Sequence, residues 1–320
     1  MSALPDASPE ISFVIPVYNK AGILPAVLRA LAGQQLPGSA EYIFVDDAST
    51  DASVSVLELH GKALPALIIL RNAGNAGPSL RINQGVARAR GRLLCLIDAD
   101  ELILPDAVTL MHGLLRERQA DMIHGKVLRS DAPADAMAPA PLGAAPDYAV
   151  SDRPLDTILH GRGFVRMTWL VETALFRAAG GCDERLFIQD ESLPLRLARH
   201  ARRFIDFRGG MTLAPQAGSH LSADKRQQHH DRFFAYFNLL QDAPDLTSAH
   251  RRRVAAICAS VAWKAQRRSG LPLATLSALQ AYLAGKLGFT VSSAYLDRAA
   301  AAFQTLPNIR RPVPTSSVAP

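Results

Sequence analysis

Two aspartates, Asp98 and Asp100, directly follow the apolar run Leu93–Ile97. Side chains two positions apart at a strand end project to the same side, so we expect the two carboxylates to share a face. They repel each other unless a cation lies between them or water screens them. Mg²⁺ is usually held by one or two carboxylates, waters and substrate phosphates. The spacing therefore fits a metal that joins the protein to a phosphorylated substrate, and it equally fits a solvated acidic turn that ends the strand.

A second carboxylate pair, Asp46 and Asp47, follows the apolar segment "EYIFV". A carboxylate at this place can accept hydrogen bonds from a nucleotide base or from a ribose hydroxyl. The alternative is local, because Ser49 or Asp51 can cap the next helix. The pair is therefore a candidate nucleotide contact.

Arg81 follows the turn-forming segment "NAGNAGPSL". Gly74 and Gly77 permit a tight turn at a strand end, and an arginine one helical turn further on can reach a phosphate or a base. A solvated arginine on a helix surface is the alternative interpretation.

Asp190 and Glu191 stand at the predicted start of an amphipathic helix, after the Gly180-Gly181 turn. The helix dipole favours a carboxylate there, which is a sufficient structural reason for both residues. The same position also holds a general base rigidly. Asp190 is therefore a candidate catalytic residue.

The elements that must position these residues alternate between strand and helix in the first part of the chain. Apolar runs predict four buried strands, and helical periodicity fills the segments between them. Such alternation predicts an α/β fold with a doubly wound, mostly parallel sheet, in which ligands bind beyond the carboxyl ends of the strands. The predicted strands are Ile11–Val17, Glu41–Val45, Ala66–Arg71 and Leu93–Ile97. Asn19 is the predicted N-cap of the first helix.

The rest of the chain is mixed at first and then helical. The segment Ser130–Val150 is rich in Ala and Pro and is predicted to be a long loop. Beyond it we expect a strand at Trp169–Phe176, a helix at Glu191–Arg202 and a strand at Arg203–Phe207. We predict a main domain over residues 1–223, a helical C-terminal subdomain over 224–305 and a disordered tail over 306–320.

The composition favours one main domain with an appendage. Apolar residues make up 48 % and charged residues 20 % of the 320 residues, which excludes wholesale disorder. Cys95, Cys182 and Cys258 are few, odd in number and far apart, so we expect reduced thiols and a cytoplasmic location. The sequence contains no apolar run long enough for a membrane span, and its first ten residues lack a basic region followed by an apolar core, so we expect no secretory signal.

The formal net charge is +6, with much of it in the second half of the chain. Arg251–Arg253 and Arg267-Arg268, with Trp263 and Phe289, predict peripheral contact with an anionic membrane surface, such as the inner face of the cytoplasmic membrane. A packed helical cap or a dimer contact is the alternative. No nucleic-acid-binding motif accompanies these residues, so we expect no nucleic-acid partner.

Four segments in order carry a resemblance: "FVIPVYNK", "IFVDDASTD", "LRNAGNAG…LRINQGVARARGRLLCLIDADE" and "LFRAAGGCDERLFIQDESLPLRL". Together they resemble the inverting, family 2 glycosyltransferases with the GT-A fold. The resemblance covers about Ile11 to Leu221.

The resemblance implies a role for each candidate residue. Asp46 or Asp47 would hold a uracil-type base, with Asp47 slightly favoured. Asp190 would be the catalytic base, and Gln189 stands where the family usually has a glutamate. The remaining nucleotide contacts would be Pro16, Val17, Tyr18, Asn72, Arg81, Asp98 and Ala99. The divalent metal, Mg²⁺ or Mn²⁺, would be bound by Asp98, Asp100 and His220.

The implied reaction moves a sugar from a nucleotide-sugar donor, with UDP expected, to a hydroxyl of a saccharide or lipid-linked acceptor. Such reactions assemble polysaccharide, lipopolysaccharide or glycolipid. A sugar-phosphate nucleotidyltransferase would need a glycine-rich, arginine-containing loop after the first strand, where only Gly22 occurs. A dehydrogenase would need G-x-G-x-x-G after a strand, which is absent. A non-catalytic nucleotide-sugar-binding scaffold stays open.

Overall fold

The computed structural model describes residues 8–132, 147–161, 164, 167–216 and 224–312. The first half of the described chain alternates strands and helices as predicted. The four strands lie parallel in the order β3-β2-β1-β4. The elements are β1 (Ile11–Val17), α1 (Leu24–Ala32), β2 (Ala40–Asp46), α2 (Ser53–His60), β3 (Leu67–Arg71), α3 (Pro78–Arg88) and β4 (Leu93–Leu96). A short 3₁₀ turn, Gly61–Ala63, follows α2.

The sheet continues beyond β4 with strands of both directions. Its full order is β3-β2-β1-β4-β8-β6-β9-β5, and β7 pairs with β9. The strand β8 is antiparallel to both of its neighbours, while β6 and β9 are parallel to each other. The elements are β5 (Leu102–Ile103), α4 (Ala107–Arg118), β6 (Met122–Ser130), β7 (Tyr148–Ser151), α5 (Pro154–His160), β8 (Trp169–Glu172), α6 (Thr173–Ala178), α7 (Gln189–His200) and β9 (Phe204–Pro215).

Two predictions about the elements of the sheet are wrong in part. The predicted strand Trp169–Phe176 ends at Glu172, because the Thr173 hydroxyl donates to the Gly91 carbonyl at 2.6 Å and a helix begins there. The predicted loop Ser130–Val150 includes most of a strand, since Tyr148–Ser151 pairs with β9. Residues 133–146 of that segment lie outside the described part of the chain.

Two hydrophobic layers cover the sheet. One layer includes α1 and α4, with Phe13 and Met111 among its buried residues. The other joins sheet residues such as Val14 to Phe233 and Phe303 of the C-terminal helices in one continuous cluster. These helices are α8 (Lys225–Asp242), α9 (Ser248–Ser269), α10 (Thr275–Lys286) and α11 (Ser293–Gln304). The helical extension therefore shares the core of the sheet, and the division at residue 224 stays a prediction.

Among the described residues, no helix combines the length and the apolar character that a membrane-spanning segment requires.

Candidate active site

Hydrogen bonds connect the loop after β1 to the loop after β2. Asn19 has a left-handed backbone (φ 52°), and its side-chain oxygen accepts from the backbone N–H groups of Thr50 at 2.8 Å and Asp51 at 3.3 Å. Helix α1 begins five residues later, at Leu24, so the prediction that Asn19 caps it is wrong. The residue instead holds two strand-end loops together, which brings Lys20 over the end of the sheet.

The two aspartates at the carboxyl end of β2, Asp46 and Asp47, differ sharply in their surroundings. The Asp47 carboxylate accepts from the backbone N–H groups of Ala76 and Gly77, both at 2.8 Å, and from the Nε of Arg81 at 2.6 Å. For Asp46, the carboxylate accepts the backbone N–H of Ser49 at 3.2 Å. Both aspartates are 3 % exposed. Asp47 therefore shapes the loop that leads into α3, and the Asp46 carboxylate has fewer hydrogen bonds from the protein.

Arg81 is buried, and each of its donor nitrogens has a protein acceptor. Besides Asp47, its guanidinium donates to the Gly74 carbonyl at 2.6 Å and to Gln84 at 3.1 Å. Gln84 in turn donates to Asn72, whose amide donates to the Asp46 carbonyl at 2.8 Å. These bonds place Asn72 and Arg81 in one network beside the two aspartates, with Arg81 inside the loop.

A lysine neutralises the far carboxylate of the D-x-D motif. The Nζ of Lys20 forms an ion pair with Asp100, although the two residues are 80 positions apart in the chain. Asp98 accepts from the side-chain amide of Gln189 at 3.3 Å. Both aspartates are half-buried. No sequence pattern singles out Lys20, because only the connection between the two loops brings it to this place.

Glu101 lies behind the two aspartates and is 4 % exposed. Burial, then the nearby negative charge of Asp98, raises the pKa of Glu101 well above its usual value. Asp100 and Asp190 act in the same direction, while the hydroxyl of Thr212, which donates at 2.6 Å, opposes the rise. The negative charges of Asp98, Asp100 and Asp190 therefore all act on the same buried carboxyl, that of Glu101.

Helix α7 begins at Gln189, so its first turn carries Asp190 and Glu191 as predicted. The side chain of Gln189 is buried, and its Oε1 has no hydrogen-bond partner among the described residues. Glu191 is also buried and pairs with Arg232 of α8 at 2.8 Å. The neighbouring helix α8 therefore holds the Glu191 carboxylate in place.

The C-terminal helices anchor the start of α7. Asp231 of α8 is fully buried, and it accepts the backbone N–H of Ile188 at 2.7 Å. The same carboxylate accepts from Gln227 at 3.0 Å and lies 2.7 Å from His230 Nδ1. The helical extension thus fixes the segment that presents Asp190, a role that the sequence pattern did not indicate.

The other predicted nucleotide contacts lie at the same sheet edge. Val17 and Ala99 are buried in the hydrophobic layer that includes α1. Tyr18 is 41 % exposed and Pro16 is half-buried. His220 lies outside the described residues.

Within the described ranges, no group of three or more histidine, cysteine or acidic side chains is arranged to hold a metal ion. The two D-x-D carboxylates nevertheless offer hard oxygen donors, and one of them already binds a cationic group, Lys20. This donor set fits Mg²⁺ or Mn²⁺ bound by carboxylates together with substrate phosphates and water.

Comparison with known proteins identifies the family. Residues 12–171 match the model of "Glycosyl transferase family 2". The chain belongs to glycosyltransferase family 2. One curated relative is the poly(ribitol-phosphate) beta-glucosyltransferase of Bacillus spizizenii, 32 % identical over 120 residues, which are 37 % of this chain and 19 % of the relative. Another is the dodecaprenyl-phosphate galacturonate synthase of Rhizobium johnstonii, 34 % identical over 124 residues, 38 % of this chain and 37 % of the relative. The chain thus matches less than half the length of these family 2 relatives.

Solved structures share the fold of this family 2 chain. S. aureus TarS 1–349 in complex with UDP-GlcNAc superposes with a TM-score of 0.65 at 18 % identity, over 92 % of this chain and 88 % of the 1–349 chain. The mannosyltransferase PcManGT of Pyrobaculum calidifontis, in complex with GDP-Man and Mn²⁺, gives a TM-score of 0.57 at 17 % identity, over 94 % and 88 % of the two chains. These matches confirm the predicted GT-A architecture, with the C-terminal helices included.

Proposed function

We propose that this family 2 glycosyltransferase transfers a sugar from a UDP-linked donor to a hydroxyl acceptor with inversion at the anomeric carbon. The observation that carries the proposal is the hydrogen bond from the side-chain amide of Gln189, the first residue of α7, to Asp98 at 3.3 Å, which joins the D-x-D motif to the helix start that carries Asp190. Donor phosphates and the attacking hydroxyl would then meet between one strand end and one helix start.

The nucleotide half of the proposed site lies at the ends of β1 and β2. We assign the base contact to Asp46, because three hydrogen bonds from protein groups already engage the Asp47 carboxylate. Asp47 and Arg81 then act together to hold the loop between β3 and α3. The backbone of Pro16 and Val17, the ring of Tyr18 and the amide of Asn72 would complete this half.

Asp98 and Ala99 would contact the ribose end of the donor, and Asp98 and Asp100 would hold the divalent metal. When bound, that metal supplies positive charge that stabilises the departing diphosphate. Lys20 pairs with Asp100 in the free protein, and we propose that it turns toward the diphosphate when the donor binds. His220 remains a proposed additional ligand outside the described residues.

Asp190 is the proposed general base. It accepts the proton of the acceptor hydroxyl while the hydroxyl oxygen attacks the anomeric carbon. The bond from that carbon to the diphosphate oxygen breaks on the opposite face, and the diphosphate leaves with the bonding electrons. The single displacement inverts the anomeric centre. The α7 start, fixed by Asp231 and by the Glu191–Arg232 pair, holds Asp190 in place for this step.

The names of the curated relatives support an acceptor in polysaccharide or glycolipid assembly, which includes saccharide and lipid-linked acceptors. The S. aureus neighbour that binds UDP-GlcNAc supports a UDP-linked donor.

A thermal-shift screen of nucleotide-sugars, with and without Mn²⁺, tests the proposal, because a ligand that binds only the native state raises the melting temperature. We expect UDP-sugars to give the largest rise, with Mn²⁺ adding to it. Asp100→Ala should abolish the Mn²⁺-dependent part. A rise only with GDP- or CMP-linked sugars would refute the UDP assignment. Binding without any hydrolysis or transfer of the bound donor would favour the scaffold interpretation.

A further inference from the structure

The α9–α10 hairpin has an unusual charge composition. Between Leu246 and Leu296 the chain has seven lysine or arginine residues and no aspartate or glutamate. The seven are Arg251, Arg252, Arg253, Lys264, Arg267, Arg268 and Lys286. Acidic residues return at Asp245 and Asp297, so the segment is bounded on both sides. This composition favours an anionic partner for whatever surface the hairpin exposes.

The exposed surface of the hairpin is apolar as well as basic. Along α10 and the turn after it, Leu276 is 67 % exposed, Leu283 45 %, Leu287 72 % and Phe289 66 %. The three leucines follow a spacing of seven and four residues, which places them along one face of a helix. Of the α10 residues only Ala278 is buried. The helix therefore turns a stripe of large apolar side chains away from the core.

Aromatic and basic side chains border this stripe. Trp263 of α9 stacks on Tyr282 of α10 with ring centroids 6.1 Å apart. The guanidinium of Arg267 lies 5.5 Å from the Trp263 ring, and the ammonium of Lys286 lies 5.7 Å from the Tyr282 ring. These contacts hold the charges of α9 and α10 beside the apolar stripe.

We infer that the α9–α10 hairpin binds the surface of an anionic bilayer, with its leucine stripe among the acyl chains and the basic residues beside that stripe, such as Arg267 and Lys286, at the headgroups. An apolar stripe with a basic border is the composition of helices that lie in the membrane interface. Each basic residue near such a surface adds attraction to acidic lipid headgroups. The inference is independent of the donor and of the transfer reaction.

Other occupants fit these observations less well. A second copy docked through the same face would oppose two acid-free, basic surfaces, and like charges across an interface disfavour association. A nucleic acid backbone would pair with the arginines, but it offers no apolar surface to cover four protruding leucine and phenylalanine side chains.

Sedimentation with vesicles tests the inference on the full chain. We expect at least tenfold more protein bound to vesicles of phosphatidylcholine with 30 % phosphatidylglycerol than to pure phosphatidylcholine, and release by high salt because the attraction is screened. The double variant Leu283→Glu/Leu287→Glu should lose this binding. Leu59→Glu, at a 65 % exposed leucine on α2, is the matched control and should bind like the parent. All three proteins should melt at the same temperature, since the substituted side chains are exposed.

Three outcomes would overturn the inference. The first is equal binding, or none, on the two vesicle types. The second is full binding by the Leu283→Glu/Leu287→Glu variant. The third is a dimer in solution, measured by light scattering, that this variant converts to monomer, because the stripe would then belong to a second copy.

Discussion

The carboxylate of Asp231 accepts the backbone N–H of Ile188 at 2.7 Å, one residue before the helix that carries Asp190 begins. The donor lies in the part of the chain that resembles the catalytic domain, and the acceptor lies in the helical extension. Because Asp231 is fully buried and also bonds Gln227 and His230, its position is fixed from three sides. The extension is therefore part of the scaffold of the proposed active site.

Replacing Asp231 by alanine should affect both stability and turnover. The Ile188 N–H would lose its acceptor in a buried place, which costs about 1–3 kcal/mol, and the lost bonds to Gln227 and His230 add to this. We expect a lower melting temperature and a reduced kcat, with the affinity for UDP kept, as measured by calorimetry. Asp245→Asn is the matched control, because the exposed Asp245–Arg199 pair contributes about 0–1 kcal/mol. A normal kcat in Asp231→Ala at permissive temperature would remove its positioning role.

Asp190→Asn should abolish transfer and leave UDP binding nearly unchanged. Loss of a positioned general base lowers turnover by about 10²–10⁴-fold. Glu184→Gln, at an exposed carboxylate of the same segment, should retain activity. Full transfer by Asp190→Asn would exclude it from the mechanism.

Substitutions of the neighbouring aspartates Asp46 and Asp47 should have different effects, one on the affinity for UDP and the other on the stability of the fold. Asp47→Ala leaves the buried guanidinium of Arg81 without its carboxylate, and breaking such a pair costs about 3–5 kcal/mol. Asp46→Asn should melt close to the parent and bind UDP at least tenfold more weakly. Calorimetry and thermal melts measure the two effects. Unchanged UDP affinity in Asp46→Asn would move the base contact away from Asp46.

Lys20→Met should increase the affinity of the nucleotide-free protein for Mn²⁺. The ammonium of Lys20 pairs with Asp100, so the metal has to displace it. Removing this competitor at a partly solvated site is worth about 1 kcal/mol, or about fivefold in affinity. Titration followed by electron paramagnetic resonance measures free Mn²⁺ directly. Lys20→Arg keeps the charge and should match the parent. Weaker Mn²⁺ binding by Lys20→Met would show that Lys20 does not compete with the metal.

His229 should make stability depend on pH in mildly acidic solution. Burial, assisted by the charges of Arg232 and Arg268, lowers the pKa of His229 to about 4 in the folded chain, against about 6.5 when unfolded. Between these values the unfolded chain binds more protons, so the contribution is complete above about pH 6.5 and is lost as the pH falls toward about 4. We expect His229→Asn to remove a loss of about 1–2 kcal/mol over this window. Denaturant unfolding at several pH values measures it, and parallel curves for variant and parent would contradict the prediction.

Apolar runs in the sequence predicted the buried parallel strands, because each of these strands carries its signal within its own residues. The strands around Ile15 and Phe44 carry continuous apolar runs, and the polar residues after them mark the strand ends. The predicted strand Trp169–Phe176 is too long, because apolar residues continue beyond the end of β8 into α6. The backbone changes from strand to helix at Thr173, whose hydroxyl donates to the Gly91 carbonyl. No local sequence pattern distinguishes a strand that continues to Phe176 from a strand that ends at Glu172 and is followed by a helix.

The carboxylates of the proposed site could be predicted from the sequence, whereas the residues that hold them in place could not. Asp98, Asp100 and Asp190 stand at strand and helix ends, which the sequence shows. Lys20 and Asp231 act across 80 and 43 positions of the chain, respectively, and only the packed structure brings them to the site. Buried partners of this kind carry no periodic signal.

The position of β8 in the sheet affects how this chain folds while the ribosome is still synthesising it. Strand β4 is complete at Leu96, yet within the described part of the chain its outer edge pairs with β8 alone, and β8 ends at Glu172. At a synthesis rate of about 5–20 residues per second, that partner arrives about 4–15 seconds later. During this interval the nascent chain presents an apolar, unpaired strand edge, which is a template for association with other chains. Slower translation lengthens the exposure, so recovery of native protein should depend on chaperones that act on the emerging chain.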